Sequence, residues 1–257
     1  MYVFTFYLLP NGSTNDRKRI KSHIFRGVFM AYLKEHDPVL IEKLHASNEI
    51  RSYAISYKRN KELREMIEFR IVSLLDEVSQ ALLQSLLKTS SQTLNIQGDP
   101  YNLVKIGFEK IDYKNLVMNG RKVQKFNIRY LSPAFFTQKG KKFDLKVPLP
   151  EQLIGNLGSI WNTHVFQAEK IPIDDLIQYV KQSVWMSSYQ LETRFADIGK
   201  SAPKSGCVGW VNYLVEDASN SLNPWLDILL KFGEYSNVGG NRTAGLGVIK
   251  YNPIEYI

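Results

Sequence analysis

The order in which strand-like and helix-like segments follow one another constrains the fold of this chain more than any other feature. Segments rich in β-branched and aromatic residues, typical of strands, alternate with segments whose apolar residues recur at helical spacing. In the first part of the chain we expect a strand at Val3–Leu9, a helix from Arg17 to Asp37, a short helix at Val39–Leu44, strands at Arg51–Tyr57 and within Met66–Leu75, a helix at Asp76–Lys88 and extended structure over Thr93–Ile111. Strand, helix, strand, strand, helix, strand is the order of a ferredoxin-like split βαβ unit.

A similar order returns after a basic linker at Asp112–Lys125. There we expect extended structure at Phe126–Leu131, helices at Pro150–Trp161 and Asp174–Gln182, strands at Trp185–Ala196 and Cys207–Val215, a helix at Asn223–Phe232 and a last strand at Val248–Tyr251. The sequence therefore predicts an α+β protein with two tandem ferredoxin-like (RRM-like, βαββαβ) domains, at residues 1–118 and 119–257. A small sheet with helices on one face is also how RNA-recognition modules are built.

The charge balance favours a polyanionic partner. Lysine and arginine number 33 against 25 aspartate and glutamate, which gives a net charge of +8. Such an excess favours nucleic acid or a membrane surface. The single cysteine, Cys207, lies in a predicted buried strand and forms no internal disulfide, which indicates a reducing compartment. Because we find no signal peptide and no apolar run of transmembrane length, we expect a cytoplasmic protein.

A glycine-rich loop precedes the last predicted strand, with four glycines within nine residues. The loop lacks the Lys-Ser/Thr pair of a P-loop and the strand-to-helix context of a Rossmann fingerprint. It is either a tight hairpin that needs glycine, which tolerates positive φ, or a cradle for the phosphates of an anionic polymer. Its candidate ligands are Gly239, Gly240, Asn241, Arg242 and Thr243.

Histidines are the first candidates for acid–base chemistry near neutral pH. The four in this chain are scattered without metal-ligand spacing, so we expect neither a metal nor a cofactor. Cleavage of RNA needs neither, because the 2′-hydroxyl can attack the adjacent phosphate if a base, an acid and a stabilising cation are present. His45, at the end of the short helix and six residues before Arg51, is the best candidate. The alternative is that His45 is a structural or surface residue.

Two further basic segments are candidate phosphate contacts. His23 lies on a predicted helix with Lys21 and Arg26. Lys139, Lys141 and Lys142 lie in a polar turn, which is either a solvated turn or a salt-dependent contact with nucleic acid.

Three groups of residues carry a resemblance to a known family. The first is Arg26-Gly27, Asp37-Pro38, Leu44-His45 and Arg51; the second is Leu131-Ser132-Pro133, Pro148-Leu149-Pro150 and Trp161-Asn162; the third is Gly209-Trp210 with Tyr235–Gly247. Together they resemble the CRISPR-associated repeat-RNA-processing endoribonucleases of the RAMP superfamily. The closing loop, which is similar to the C-terminal glycine-rich signature of that family, is the most specific part. The resemblance spans nearly the whole chain.

The resemblance implies two tandem ferredoxin-like domains and metal-independent cleavage of CRISPR precursor RNA within the repeat. The implied products are a 2′,3′-cyclic phosphate (or 3′-phosphate) and a 5′-hydroxyl. His45 matches the family histidine that acts as general acid or base, and Arg51 falls where the family has a lysine. Met30 occupies a position that is tyrosine in some members, so Tyr32 and His23 are the further catalytic candidates.

The resemblance implies CRISPR repeat RNA as the partner, with other subunits of the CRISPR effector complex as further candidates. We expect no membrane partner, and either a monomer or a homodimer. The glycine loop and Lys139, Lys141 and Lys142 would hold the RNA. One alternative is a non-catalytic repeat-RNA-binding subunit of the same pathway. Another is an unrelated basic module that binds RNA or membranes.

Overall fold

The computed structural model describes residues 1–12, 20–46, 50–60, 66–88, 93–138, 140–166, 168–199 and 202–257, except for the side chains of Tyr32, Glu35, His36, Lys43, His45 and Ala46. The chain forms two compact units. The first comprises Met1–Ile111, Asp197–Ala202 and Thr243–Gly245, and the second comprises Asp112–Ala196, Pro203–Arg242 and Leu246–Ile257. No described helix is long and apolar enough to cross a membrane.

The first unit is an antiparallel sheet with helices packed against it. Its elements are β1 (Tyr2–Pro10), α1 (His23–His36), α2 (Pro38–Ala46), β2 (Tyr53–Asn60), β3 (Met66–Ser73), α3 (Asp76–Lys88), β4 (Thr93–Ile96) and β5 (Asp99–Lys110). The strand order is β2-β3-β1-β5-β4. With β1 between β3 and β5, this is the ferredoxin-like arrangement, to which β4 adds a short strand paired with the start of β5.

The core of the first unit lies between this sheet and its helices. Side chains alternate between the two faces of a strand, and Phe4, Phe6 and Leu8 of β1 are fully buried on one of them. Phe25 of α1 stacks on Phe69 of β3 with their ring centroids 4.5 Å apart. Burying such a side chain contributes about 1.5–3 kcal/mol. These aromatic contacts therefore hold α1 on the sheet.

The second unit repeats the same topology. Its elements are α4 (Tyr113–Met118), β6 (Val123–Ala134), α5 (Pro150–His164), α6 (Ile173–Ser183), β7 (Val184–Ala196), β8 (Lys204–Val215), α7 (Pro224–Ser236), a short 3-10 turn at Arg242–Ala244, and β9 (Ile249–Tyr256). The strand order β7-β8-β6-β9 again places the first strand of the unit between its third and fourth strands. Cys207 is buried in β8, as predicted, and burial raises the pKa of its thiol to about 11.

A buried carboxylate joins α7 to the strand that follows it. Oδ1 of Asp227, which is fully buried, accepts hydrogen bonds from the hydroxyls of Tyr251 at 2.9 Å and Tyr256 at 3.0 Å. Its Oδ2 accepts from the backbone N–H of Arg121 at 3.0 Å and from Nζ of Lys231 at 2.7 Å. Buried charges are tolerated when they are paired and hydrogen-bonded in this way. The cluster thus clamps together the two elements that flank the glycine-rich loop.

The predicted fold class is confirmed, and α3 has the predicted bounds. The start of α1 was predicted wrongly, because the helix begins at His23 and the described residues Ile20, Lys21 and Ser22 are not helical. Tertiary contacts hold this stretch: the Ile20 carbonyl accepts from the Tyr57 hydroxyl at 2.7 Å, and the Lys21 N–H donates to Oε1 of Gln97 at 3.1 Å. The rest of the predicted helix, at residues 13–19, lies outside the described residues.

Two further boundaries differ from the sequence prediction. The predicted linker contains α4, whose N-cap residue Asp112 accepts a hydrogen bond from the Lys114 N–H at 2.9 Å. Strand β6 continues to Ala134, beyond Leu131, where the predicted extended segment ended. Pairing between Ala134 and Cys207 of β8 stabilises this extension.

Candidate functional site

The candidate acid–base residue, His45, lies in the last turn of α2. At the start of this helix, Oδ1 of Asp37 accepts a hydrogen bond from the Leu40 N–H at 2.9 Å, which satisfies one of the unpaired amides of the first turn. Leu40 and Leu44 are buried in the core of the first unit. These contacts fix the backbone that carries His45.

Arg51 lies beside the end of the same helix. It precedes β2, and its Nη1 donates a hydrogen bond to the backbone carbonyl oxygen of Leu44, the residue before His45. A cation at this end of a helix is favourable, because the last carbonyl groups carry partial negative charge. The structure therefore brings the guanidinium of Arg51 to the backbone adjoining His45, two residues that the sequence related only by spacing and resemblance.

His23, the first residue of α1, is held by the segment that follows β7. Its Nδ1 lies 3.0 Å from the backbone carbonyl oxygen of Asp197 and 3.6 Å from Oδ1 of the same residue. Lys21 Nζ contacts the Asp197 carboxylate at 2.6 Å. This hydrogen bond, and then one from the backbone N–H of Gly199, lowers the pKa of Asp197. The His23 side chain is 15% exposed and has structural partners, so its catalytic role stays a prediction.

Tyr32 and Met30 lie on α1. Met30 packs against the core of the first unit. Tyr32 belongs to the helix, but its side chain, like that of His45, lies outside the described residues. The catalytic roles of Tyr32 and His45 therefore stay predictions.

The glycine-rich loop connects α7 to β9 and folds against the end of β6 in the same unit. The backbone N–H of Gly239 donates to Oδ1 of Asn156 at 2.8 Å, and that of Gly240 donates to the carbonyl oxygen of Phe135 at 2.9 Å. Gly247 has a φ of +69°, and a Cβ added there would lie 1.7 Å from the carbonyl oxygen of Val238. Close approach of backbone to backbone thus requires glycine in this loop.

The side chains at the centre of the loop are also used internally. Arg242 is 5% exposed, and its Nη1 donates to the carbonyl oxygen of Ser236 at 2.7 Å. Thr243 is buried, and Asn241, with a φ of +56°, accepts a hydrogen bond from the Leu246 N–H at its backbone carbonyl. Of the two alternatives that the sequence left open, these contacts favour the tight loop. RNA contacts by the loop residues stay a prediction.

The predicted basic turn is exposed after β6. Lys141 and Lys142 are both on the surface, whereas Lys139 lies outside the described residues. Nζ of Lys142 lies 5.7 Å from the ring centroid of Phe143, a side chain that is 78% exposed. Cations combined with an exposed ring suit a single strand of nucleic acid, because they attract phosphates and offer a surface for base stacking. Sequence reasoning missed Phe143, although an aromatic residue directly after a lysine pair was a usable signal.

A second surface that sequence reasoning missed crosses the sheet of the second unit. Arg129 of β6 pairs with Trp210 of β8 and with Lys250 of β9, and Trp210 pairs in turn with Gln190 of β7. Paired residues lie on the same face of a sheet. Ile128, Tyr130 and Val211, which alternate with this row along β6 and β8, are buried in the core, so the row lies on the opposite, accessible face.

The accessible face combines a cation, an aromatic ring and amides. Arg129 is exposed and Trp210 is half-buried, whereas Lys250 is paired with Glu234 at 2.8 Å. In the next row, Asn127 donates to Oδ1 of Asn212 at 2.7 Å. Sheets that recognise RNA use this combination, with rings for base stacking and polar groups for the backbone and base edges. Across the described parts of the chain, no group of three or more histidine, cysteine or acidic side chains is arranged to hold a metal ion.

Comparison with known proteins shows which family this chain is similar to. The model of the family described as CRISPR-associated endoribonuclease Cas6 matches residues 128–249, a range that runs from β6 through the glycine-rich loop to the start of β9. A CRISPR-associated endoribonuclease Cas6 from Streptococcus thermophilus is 24% identical over 234 residues, which cover 88% of this chain and 89% of that protein.

Solved structures share the fold over almost the full length of both chains. A Cas6 product complex superposes with a TM-score of 0.82 at 19% identity and covers 98% of this chain and 99% of its own. Cas6 from Thermus thermophilus gives a TM-score of 0.74 at 18% identity, with 98% of each chain covered. A RAMP protein described as binding different RNA substrates gives 0.62 at 14% identity, covering 99% of this chain and 100% of its own. The family model, the curated relative and the solved structures point the same way: this chain is similar to the Cas6-type CRISPR-associated endoribonucleases, by the family model over residues 128–249 and by the fold over almost its full length.

Proposed function

We propose that this protein is a metal-independent endoribonuclease that cleaves CRISPR precursor RNA within its repeats. The observation that carries the proposal is the contact between Arg51 and the end of α2, which puts a permanent cation next to the backbone of His45. The curated relative is itself a CRISPR-associated endoribonuclease, and one similar structure is a product complex. Both support the same reaction for this chain.

The reaction uses the nucleophile that RNA itself supplies. A base removes the proton of the 2′-hydroxyl, the 2′-oxygen bonds to the adjacent phosphorus, the bond to the 5′-oxygen breaks, and an acid protonates that oxygen. The products are a 2′,3′-cyclic phosphate, which water can open to a 3′-phosphate, and a 5′-hydroxyl end. We assign one proton transfer to His45, because an ordinary histidine pKa of about 6.5 suits either role near neutral pH.

Arg51 stabilises the negative charge that builds up on the phosphate during this step. A guanidinium has five N–H donors in a planar fork, so it can serve the Leu44 carbonyl and a phosphate together. The second proton carrier is Tyr32 or His23. For His23, this role requires the ring to act from its position against Asp197.

RNA is held by two exposed surfaces of the second unit. One is the accessible sheet face with Arg129 and Trp210, and the other is the basic segment with Lys141, Lys142 and Phe143. Phosphate contacts supply affinity that falls with salt, and the rings stack on bases. The loop residues Gly239, Gly240 and Arg242 support these surfaces by the hydrogen bonds described above.

Cleavage of end-labelled CRISPR repeat RNA in EDTA tests the proposal. One substrate is all-ribose and the other carries a 2′-deoxy sugar at the scissile nucleotide. We expect cutting of the first only, with a cyclic phosphate on the 5′ fragment. His45→Ala should lower the cleavage rate by about 10²–10⁴-fold, the usual share of general acid–base catalysis, and leave RNA affinity unchanged. His36→Ala, also at a helix end, is the matched control and should cleave normally.

Three results would contradict parts of this assignment. Cutting of the deoxy substrate would exclude 2′-hydroxyl attack, and full activity of His45→Ala would remove His45 from the reaction. Tight binding of repeat RNA by the native protein without any cutting would favour the non-catalytic RNA-binding subunit. Arg51→Lys separates charge from geometry, because lysine keeps the charge but lacks the planar fork.

A further inference from the structure

The outer edge of β5 is long, apolar and exposed. Strand β4 pairs only with Asp99–Asn102, at the start of β5. Residues Leu103 to Lys110 pair with β1 on one side, and among the described residues no strand pairs with them on the other, outer side. Every second residue of such a strand points its backbone N–H and C=O groups outward, and proteins usually protect an edge of this kind because it invites pairing with another strand.

The two faces of this edge have different chemistry. Ile106 and Phe108 pair with Phe6 and Phe4 of β1, so they lie on the helix-covered face. They are nevertheless 37% and 51% exposed, because they lie at the margin of the sheet. Lys105 and Glu109 alternate with them and lie on the other face, both exposed. The edge therefore presents an apolar pair on one side and an opposite-charge pair on the other.

This pattern is complementary to itself. Two copies of β5 can run antiparallel about a two-fold axis perpendicular to the sheet. Residues that face each other across the two strands must lie on the same face of the sheet. The axis must therefore pass through one residue, which faces its own copy. With Gly107 on the axis, Ile106 of each copy faces Phe108 of the other, and Lys105 faces Glu109. Each contact occurs twice, and both kinds stabilise antiparallel strands.

Neighbouring registers lack this match. With Ile106 on the axis, Lys105 faces Gly107 and Glu109 faces Leu103. With Phe108 on the axis, Ile106 faces Lys110 and Gly107 faces Glu109. Only the register centred on Gly107 pairs opposite charges and apolar side chains at the same time, and Lys105–Glu109 pair with β1 without a register shift.

We infer that the protein forms a homodimer in which the β5 edges of two copies pair antiparallel about Gly107. The sheet of the first unit then continues into the sheet of its copy, as an isologous interface. Strand addition supplies backbone hydrogen bonds, and the alternate side chains select the partner. Because one strand pair buries less surface than a standard interface, we expect a weak dimer that dissociates on dilution.

Charge variants of β5 test the dimer by sedimentation equilibrium of the full chain over a range of concentrations. The native protein should approach twice the 29.6 kDa mass of one chain. Lys105→Glu and Glu109→Lys each turn two attractive pairs into two repulsive ones and should raise the dimer Kd about tenfold or more. The double variant Lys105→Glu/Glu109→Lys restores the pairs with reversed sign and should dimerise like the native chain.

Lys110→Glu makes the same charge change at an exposed neighbour that faces Val104 in this register, and it should not affect the Kd. Circular dichroism confirms that each variant is folded. A native protein that stays at the mass of one chain, a dimer insensitive to Lys105→Glu, or a double variant that remains monomeric would each overturn the inference.

Discussion

Replacing Gly247 by alanine tests whether the glycine-rich loop is a structural device. Gly247 has a φ of +69°, and a Cβ there would lie 1.7 Å from the carbonyl oxygen of Val238. Val238 cannot retreat freely, because its N–H donates to the Gly247 carbonyl at 2.8 Å, while the Gly247 N–H donates to the Pro133 carbonyl at 3.0 Å. Relief of the overlap therefore breaks the contact between the loop and β6.

The expected loss has two parts. A left-handed φ costs a residue with a Cβ about 1–2 kcal/mol. Overpacking against a backbone atom adds about 1–3 kcal/mol. We therefore expect Gly247→Ala to lower the free energy of unfolding by about 2–5 kcal/mol.

Gly140→Ala separates these parts. Gly140 has a φ of +74°, but a Cβ added there meets no atom within 4 Å. This variant should show the conformational cost alone, about 1–2 kcal/mol.

Urea unfolding followed by tryptophan fluorescence measures the free energy of unfolding of both variants, because the tryptophans report on the unit that carries the substitutions. All four tryptophans, Trp161, Trp185, Trp210 and Trp225, lie in the second unit, which also contains Gly140 and Gly247. Equal losses for Gly247→Ala and Gly140→Ala would refute the steric reasoning. A stable Gly247→Ala protein that binds repeat RNA poorly would instead support a phosphate cradle.

Three further predictions concern the second unit. Asp227→Asn should lower the free energy of urea unfolding by about 3–5 kcal/mol, because its new amide faces two donors in a buried site. Burial, and then the charge of Asp227, raises the pKa of Tyr256 to about 12. This folded-state pKa exceeds the unfolded value of about 10, so the stability that Tyr256 contributes is complete below pH ~10 and is lost as pH rises through about 12. The urea midpoint should therefore fall as pH rises through this range, and it should fall less steeply in Asp227→Asn. Trp210→Ala should weaken binding of single-stranded repeat RNA by about 1–3 kcal/mol in a filter-binding assay, whereas Phe166→Ala, which removes an exposed ring that follows α5 and belongs to no strand, should not.

Much of the fold was predictable because its signals are local. The helical stripe at Asp76–Lys88 and the strand–helix order of both halves follow from periodicity, and the structure confirms them. The start of α1 was not predictable, because residues distant in sequence, Tyr57 and Gln97, hold the preceding backbone out of the helix. Local propensity contains no information about such partners.

The candidate site shows the same division. Residue type and resemblance were enough to select His45 and Arg51, but only the folded chain shows the Arg51 guanidinium on the Leu44 carbonyl. In the glycine-rich loop, the sequence could not separate a phosphate cradle from a tight turn, because both need glycine and a nearby donor. The internal hydrogen bonds of Gly239, Gly240 and Arg242 favour the turn.

The sequence by itself determined the fold class, the basic character and the family resemblance of this protein, because hydrophobic period, charge and short motifs are properties of neighbouring residues. The tertiary structure decided which groups meet. It placed Arg129 beside Trp210 across two strands far apart in sequence, and it buried Arg242, which composition alone would have put on the surface. Within the described part of the chain, it also left the outer edge of β5 beyond Asn102 without a paired strand. Strand register and burial depend on long-range packing, and these set the chemistry that each side chain can perform.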